Sequence, residues 1–228
     1  VENLKTQAGL SKMKLLIFGP PGSGKGTYSS RIENKIDVDH IATGDIFREA
    51  VKKDTELGNK VEEYLNEGKL VPDKIVNKVV ENKLEEIGKD GFILDGYPRN
   101  VEQAEFLDSF VDLDGLILLD VTDEIIIERL SSRRICKDCG EVFNKLFMPP
   151  EEEGVCDECG GELYQRDDDR PDVIKDRIEV YEERTEPVLG YFEDEIPFVV
   201  LKCREVDAPI DEMVDKIITK LKNKEIIS

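Results

Sequence analysis

Nine residues constrain this chain more than any others. Gly19-Pro20-Pro21-Gly22-Ser23-Gly24-Lys25-Gly26-Thr27 follows the apolar run Leu15-Leu16-Ile17-Phe18 and opens a stretch of helical character over 27–35. Strand, glycine-rich turn and helix, in that order, form the context in which a loop wraps phosphate. The glycines let backbone N–H groups turn inward and approach phosphate oxygens closely. The helix N-terminus adds partial positive charge. Lys25 can then reach the outer phosphates, and a hydroxyl can bind magnesium. The general pattern puts Ser or Thr directly after the lysine. Here Gly26 intervenes and Thr27 follows.

The rest of the chain repeats that alternation. Phe92-Ile93-Leu94, Leu116-Ile117-Leu118-Leu119 and Phe198-Val199-Val200-Leu201 read as buried strands, and 40–42 as a short one. Helical patterns cover 45–53, 57–66, 102–110, 123–134, 171–195 and 210–222. Another starts at Pro72 and keeps its period through Ile75, Val76, Val79, Val80, Leu84 and Ile87. Alternating strands and helices predict an α/β fold, a P-loop-type parallel sheet with helices on both faces. The period fails between 135 and 169, where cysteines, glycines and Pro149-Pro150 gather. That stretch reads as an inserted small module. Residues 1–12 read as a flexible extension, with Met13 as a natural start.

Charge narrows the partners. With 228 residues, 32 Lys and Arg and 52 Asp and Glu, the formal charge is −20. Such a chain repels nucleic acid and anionic membrane unless basic residues gather locally. Phosphate binding must therefore rest on chosen arginines, lysines and backbone N–H groups. No apolar run approaches the roughly 20 residues of a membrane helix. Residues 1–12 lack the apolar stretch of a signal peptide, so a cytoplasmic location is expected.

Further motifs carry chemistry. Thr43-Gly44-Asp45-Ile46-Phe47-Arg48 offers Thr43 as a helix N-cap and Arg48 about one turn in, able to grip phosphate bidentately. Asp95-Gly96-Tyr97-Pro98-Arg99 closes a buried strand, where open α/β sheets carry ligand chemistry. Asp95 can hold magnesium through water, Arg99 a second phosphate, and Gln103 can offer an amide to a base edge. Arg129 and Arg133 lie four apart and would share one helix face, with Arg134 beside them. Arg166 and Arg177 follow the inserted module.

Cys136-x2-Cys139 and Cys156-x2-Cys159 are separated by sixteen intervening residues, and Gly140 and Gly160-Gly161 permit tight turns. This spacing matches a zinc knuckle. Four thiolates close the coordination sphere, so the metal is expected to be structural. Two disulfides are the alternative, disfavoured without an export signal. Cys203 reads as a buried lone thiol.

The Gly-Lys-Gly-Thr ending of the phosphate loop, with Thr43–Arg48, Asp95–Arg99, Gln103 and the cysteine module, resembles the nucleoside monophosphate kinases, adenylate kinases in particular. The resemblance runs from Met13 almost to the end. It implies Mg²⁺-dependent transfer from ATP to AMP giving two ADP, by a monomer. It implies a core over 13–41, 72–131 and 170–228, an AMP-binding segment over 42–71, and a lid over 132–169 of the zinc-binding type. By the resemblance, Gly22 to Thr27, Arg129, Arg133, Val142 and Phe143 contact ATP. Thr43, Arg48, Lys69, Leu70, Val71, Gly96 to Arg99 and Gln103 contact AMP. Arg166 and Arg177 close on the phosphates from the lid side, and Asp168 and Asp169 take part in closure or substrate contacts. The spacing around Val206–Ala208 departs from the family pattern for the adenine contact.

Two rivals are weighed. A UMP- or CMP-type kinase is opposed by Thr43, Gln103 and the long lid. A nucleic-acid-binding zinc ribbon needs a basic face. Glu141, Glu151-Glu152-Glu153, Asp157 and Glu158 give the module a negative one.

Overall fold

A computed structural model describes residues 13–87 and 91–227. The extension expected over 1–12 lies outside the described residues. Five parallel strands form the central sheet. They are β1 (Lys14–Phe18), β2 (Asp39–Ala42), β3 (Phe92–Asp95), β4 (Gly115–Val121) and the later β8 (Phe198–Cys203), in the order β2-β3-β1-β4-β8. Leu15 pairs with both Ile93 and Gly115, which places β1 at the centre.

The strands are apolar on both faces because both faces are covered. Leu15, Ile17, Ile93, Ile117, Leu119 and Val199 face one side. There they meet Ile32 of α1 (Lys25–Ile36), Ile126 of α6 (Asp123–Ser132) and Val214 and Ile217 of α9 (Ile210–Asn223). Leu16, Phe18, Leu94 and Leu116 face the other side. They meet Val76 and Val80 of α4 (Asp73–Ile87), Leu107 of α5 (Val101–Asp108), and Val188 and Phe192 of α8 (Pro187–Phe192). Period-two alternation with both sets apolar is the pattern of a buried parallel sheet.

Two excursions leave this core. The first is the helix pair α2 (Thr43–Lys52) and α3 (Glu56–Asn66). The second is a three-stranded antiparallel sheet of β5 (Arg133–Cys136), β6 (Val142–Asn144) and β7 (Leu163–Tyr164), in the order β6-β5-β7. That sheet was not expected from the sequence, whose period is too short there to show. Its buried cluster is only Cys136, Phe143, Cys156 and Leu163.

Three expectations need correction. The helix expected over 123–134 ends at Ser132, and Arg133 is already extended at φ −64°, ψ 141°. Arg133 pairs with Asn144 in the lid sheet, so Arg129 and Arg133 do not share a helix face. Thr43 is the first residue of α2 rather than its N-cap; Ala42 holds the cap position. The long helix expected over 171–195 is α7 (Pro171–Val180), a π-helical turn over Tyr181–Thr185, and α8. Pro187 supplies no N–H to the ladder, and just before it Glu186 N–H bonds the carbonyl of Tyr181, five residues back.

Candidate active site

The phosphate loop joins β1 to α1 at the carboxyl end of the sheet. Gly22 has φ 76°, and a Cβ there would stand 2.6 Å from Leu130 Cγ, so any larger residue is excluded twice. Lys25 folds back over the loop. Its Nζ donates to Gly19 O at 2.7 Å and Pro20 O at 2.9 Å. Burial pulls its pKa down to about 8, against the pull of Asp95 and together with Arg99 and Arg177. The charge at this point is costly without an anion. Ser23 Oγ is buried with no partner among the described residues.

Asp95 ends β3 and is nearly buried. A Cβ on Gly26 would lie 3.6 Å from its Oδ2, so the carboxylate stands against the start of α1. His40 Nε2 is 3.5 Å from Asp95 Oδ2. Burial opposes the charged imidazole, but Asp95 outweighs it and raises the His40 pKa. Sequence reasoning gave His40 no role, because its partner lies 55 residues away. Asp95, with the half-buried hydroxyl residue Thr27, is the oxygen donor set suited to a hard divalent cation.

A pocket of about 560 Å³, open to solvent, lies between the α2–α3 pair and β3. Thr43, Arg48, Lys69, Leu70, Val71, Gly96, Arg99, Gln103 and Arg177 all line it, so most of the residues expected at the acceptor site converge there. Asp168 lines it too. Thr43 Oγ1 donates to Gly96 O at 2.9 Å, crossing from α2 to the end of β3. Arg99 Nε donates to the same carbonyl at 2.8 Å. Burial lowers the Arg99 pKa to about 10, and Arg177 adds to it. Tyr97 lies behind the pocket, 1% exposed, with its hydroxyl donating to Asn77 Oδ1 at 2.8 Å. Pro98 follows through a cis peptide bond and does not line the pocket either.

The arginines meet where the three-stranded sheet joins α7. Arg133 forms a two-pronged pair with Asp169, Nε to Oδ2 at 2.8 Å and Nη2 to Oδ1 at 2.6 Å. Arg177 reaches Asp169 Oδ1 at 3.3 Å and Asp168 Oδ2 at 3.0 Å. Asp169 is fully buried, so this charge is spoken for by two guanidinium groups. Burial would raise the Asp168 pKa, but Arg177, Arg133 and Arg166 more than offset it and lower it. Arg166 Nε is buried with no partner among the described residues, and Asp45 lies 3.8 Å from its Nη2. Arg129 donates to Ser23 O of the phosphate loop at 3.3 Å, to the carbonyls of Val206 and Glu205, both at 3.0 Å, and to Cys203 Sγ at 3.1 Å.

In the lid, Val142 is half-exposed while Phe143 turns its ring into the small lid core. Cys136, Cys139, Cys156 and Cys159 place their sulfurs within 4.8 Å of one another. Cys136 and Cys159 are 3.4 Å apart, and Cys139 and Cys156 3.6 Å, with all four thiols free. A disulfide would need about 2.05 Å. Tetrahedral bonds of about 2.3 Å put sulfurs about 3.8 Å apart, which this cluster fits. A Cβ on Gly161 would meet Cys136 Sγ at 2.8 Å, so glycine lets the second turn approach the first.

The chain matches the family model described as adenylate kinase over residues 17–196. It is 46% identical over 199 residues to the "Adenylate kinase" of Fervidobacterium nodosum, covering 85% of this chain and 91% of that one. It is 50% identical over 187 residues to that of Thermotoga neapolitana, covering 78% and 84%. It is 46% identical over 212 residues to that of Thermosipho africanus, covering 90% and 99%. By family model and by relatives alike, this chain belongs to the adenylate kinase family of nucleoside monophosphate kinases.

Proposed function

We propose that this chain catalyses reversible transfer of the γ-phosphoryl group of Mg·ATP to AMP, giving two ADP. One observation carries the reading. The pocket bearing Arg48, Arg99 and Gln103 adjoins Lys25 of the phosphate loop, and Lys25 feels the charges of Arg99, Arg177 and Arg133. Two phosphate-binding sets therefore face a common point.

Phosphoryl transfer needs alignment and positive charge more than a covalent partner. The backbone of Gly22 to Thr27 cradles the donor phosphates, and Lys25 leaves its loop carbonyls for them. Arg48 and Arg99 hold the acceptor phosphate, and Thr43, Lys69 to Val71 and Gln103 its base. Gly96 to Pro98 fix the turn that carries Arg99. Arg129 and Arg133 serve the donor side together with Val142 and the backbone of Phe143, while Arg166 and Arg177 close from the lid. No side chain acts as base. Asp95 and Thr27 would hold magnesium bound with ATP, which would supply positive charge to offset that of the donor phosphates. Closure excludes water, a gating role for which the adenylate kinase lid is itself a standard example.

The four cysteines hold structural zinc. The working unit is proposed to be a monomer. A four-thiolate zinc site supports a reducing compartment such as the cytoplasm. Among the described residues no helix is long and apolar enough to cross a membrane.

The test offers Mg·ATP with AMP, UMP, CMP and GMP in turn. AMP is expected to turn over fastest; turnover with UMP or CMP but not AMP overturns the reading. Elemental analysis is expected to find about one zinc per chain. Metal-free protein with two disulfides overturns the zinc assignment.

A further inference from the structure

The Gln103 amide is held from both ends. Its Oε1 accepts the Arg99 backbone N–H at 2.7 Å, and its Nε2 donates to Asp73 Oδ1 at 2.7 Å. A backbone N–H only donates and an ionised carboxylate only accepts. The two ends of this amide are therefore assigned by the chemistry of their partners. Asp73 is itself fixed. The same Oδ1 accepts Asn100 Nδ2 at 3.0 Å, and Asn100 Oδ1 caps α5 by accepting Gln103 N–H at 2.8 Å. Gln103 lines the acceptor pocket; Asp73, at the first position of α4, does not.

We propose that Asp73 is a positioning residue that sets which purine the acceptor pocket takes, by fixing the order of donor and acceptor on Gln103. The inference rests on the reading of Gln103 as the base contact. Each end of the amide keeps one free valence, a second hydrogen on Nε2 and a second lone pair on Oε1. Adenine carries a 6-amino donor beside the acceptor N1. A 6-oxopurine carries an acceptor at position 6 beside an N1–H donor, the reverse order. An amide locked in one order meets only one of these edges. A turned amide would aim its oxygen at the Asp73 carboxylate and its NH₂ at the Arg99 N–H. Two locks thus oppose turning, and Asp73 supplies the charged one.

The experiment measures kcat/KM for AMP and for IMP, at saturating Mg·ATP, in the wild type, Asp73→Ala, Asp73→Asn and Gln103→Ala. Asp73→Ala is expected to lose about tenfold in the AMP-to-IMP ratio, the worth of one charge-assisted hydrogen bond. The loss falls in KM for the monophosphate, with KM for ATP unchanged. Asp73→Asn is expected to restore part of the ratio: its Oδ1 still accepts from both amides, while the Oδ2 that also accepts Asn100 Nδ2 at 3.2 Å becomes an NH₂. Should Asp73→Ala not fold, Asp73→Ser carries the same expectation, because a hydroxyl donates and accepts and dictates no order. A wild-type ratio in Asp73→Ala or Asp73→Ser, alongside an altered one in Gln103→Ala, overturns the role of Asp73 and leaves Gln103 as the base contact. An unaltered KM for AMP and an unaltered ratio in Gln103→Ala overturn the base contact itself, and the role of Asp73 with it.

Discussion

The phosphate cradle and the lid solve the same problem, holding groups still around phosphate, by opposite means. The cradle stands on a sheet whose strands are buried on both faces, so apolar packing fixes it from above and below. The lid's own buried cluster has four members, and two of them are cysteines. Phe143 and Leu163 alone cannot offset the ordering entropy of the whole module. A closed four-thiolate site can, because metal binding free energy becomes folding free energy. With the proposed zinc site, rigidity in the core is independent of any ion, while rigidity in the lid is conditional on one. Asp169, buried at the junction between them, ties the lid's Arg133 to Arg177 on α7.

The comparison can be broken first at Lys25. Lys25→Met is expected to lower kcat about 10³-fold, as loss of preorganised positive charge does. The same change is expected to raise the melting temperature of the nucleotide-free enzyme at pH 7. The sign follows from the depressed pKa. Below about pH 8 the folded protein bears a buried charge at a cost. Between about 8 and the ordinary lysine value the unfolded chain binds more protons, so wild-type stability rises and the variant's advantage shrinks. Calorimetry across pH 7 to 10 checks this. A variant less stable at pH 7 contradicts it.

A smaller effect is expected at that junction. Asp169→Asn leaves Arg133 and Arg177 without their shared carboxylate charge and is expected to cost about 3 kcal/mol in urea unfolding. A cost under about 0.5 kcal/mol would mean that the pairs are no tighter than surface ones. The smallest effect belongs to His40. Its raised pKa means that its pairing with Asp95 stabilises fully below about pH 6.5 and fades as pH rises through the folded-state value. His40→Gln is therefore expected to lower the melting temperature at pH 6 and not at pH 8.5. An equal deficit at both would contradict the pairing.

Much of this was legible in the sequence where local pattern and chemistry coincide. Leu15–Phe18 and Leu116–Leu119 announce buried strands because every residue is apolar, and Gly22 and Lys25 announce phosphate. The four cysteines are legible because their spacing is itself the geometry. Arg133 was not, since nothing in Ser131-Ser132 forces a helix to stop; the halt comes from pairing with Asn144 across the lid. The burial of Phe143 carries no local signal for the same reason, being decided by Cys136, Cys156 and Leu163. Asp73 carried no signal, because its role depends on a glutamine thirty residues on.

Hydrogen exchange on zinc-loaded and metal-stripped protein tests the difference between the two regions most directly. Stripping is expected to abolish protection over residues 133–164 while leaving 14–18 and 115–121 protected, with activity falling and returning on zinc addition. Unchanged protection in the lid, or loss in lid and sheet together, would contradict a lid held by metal on a core that is not.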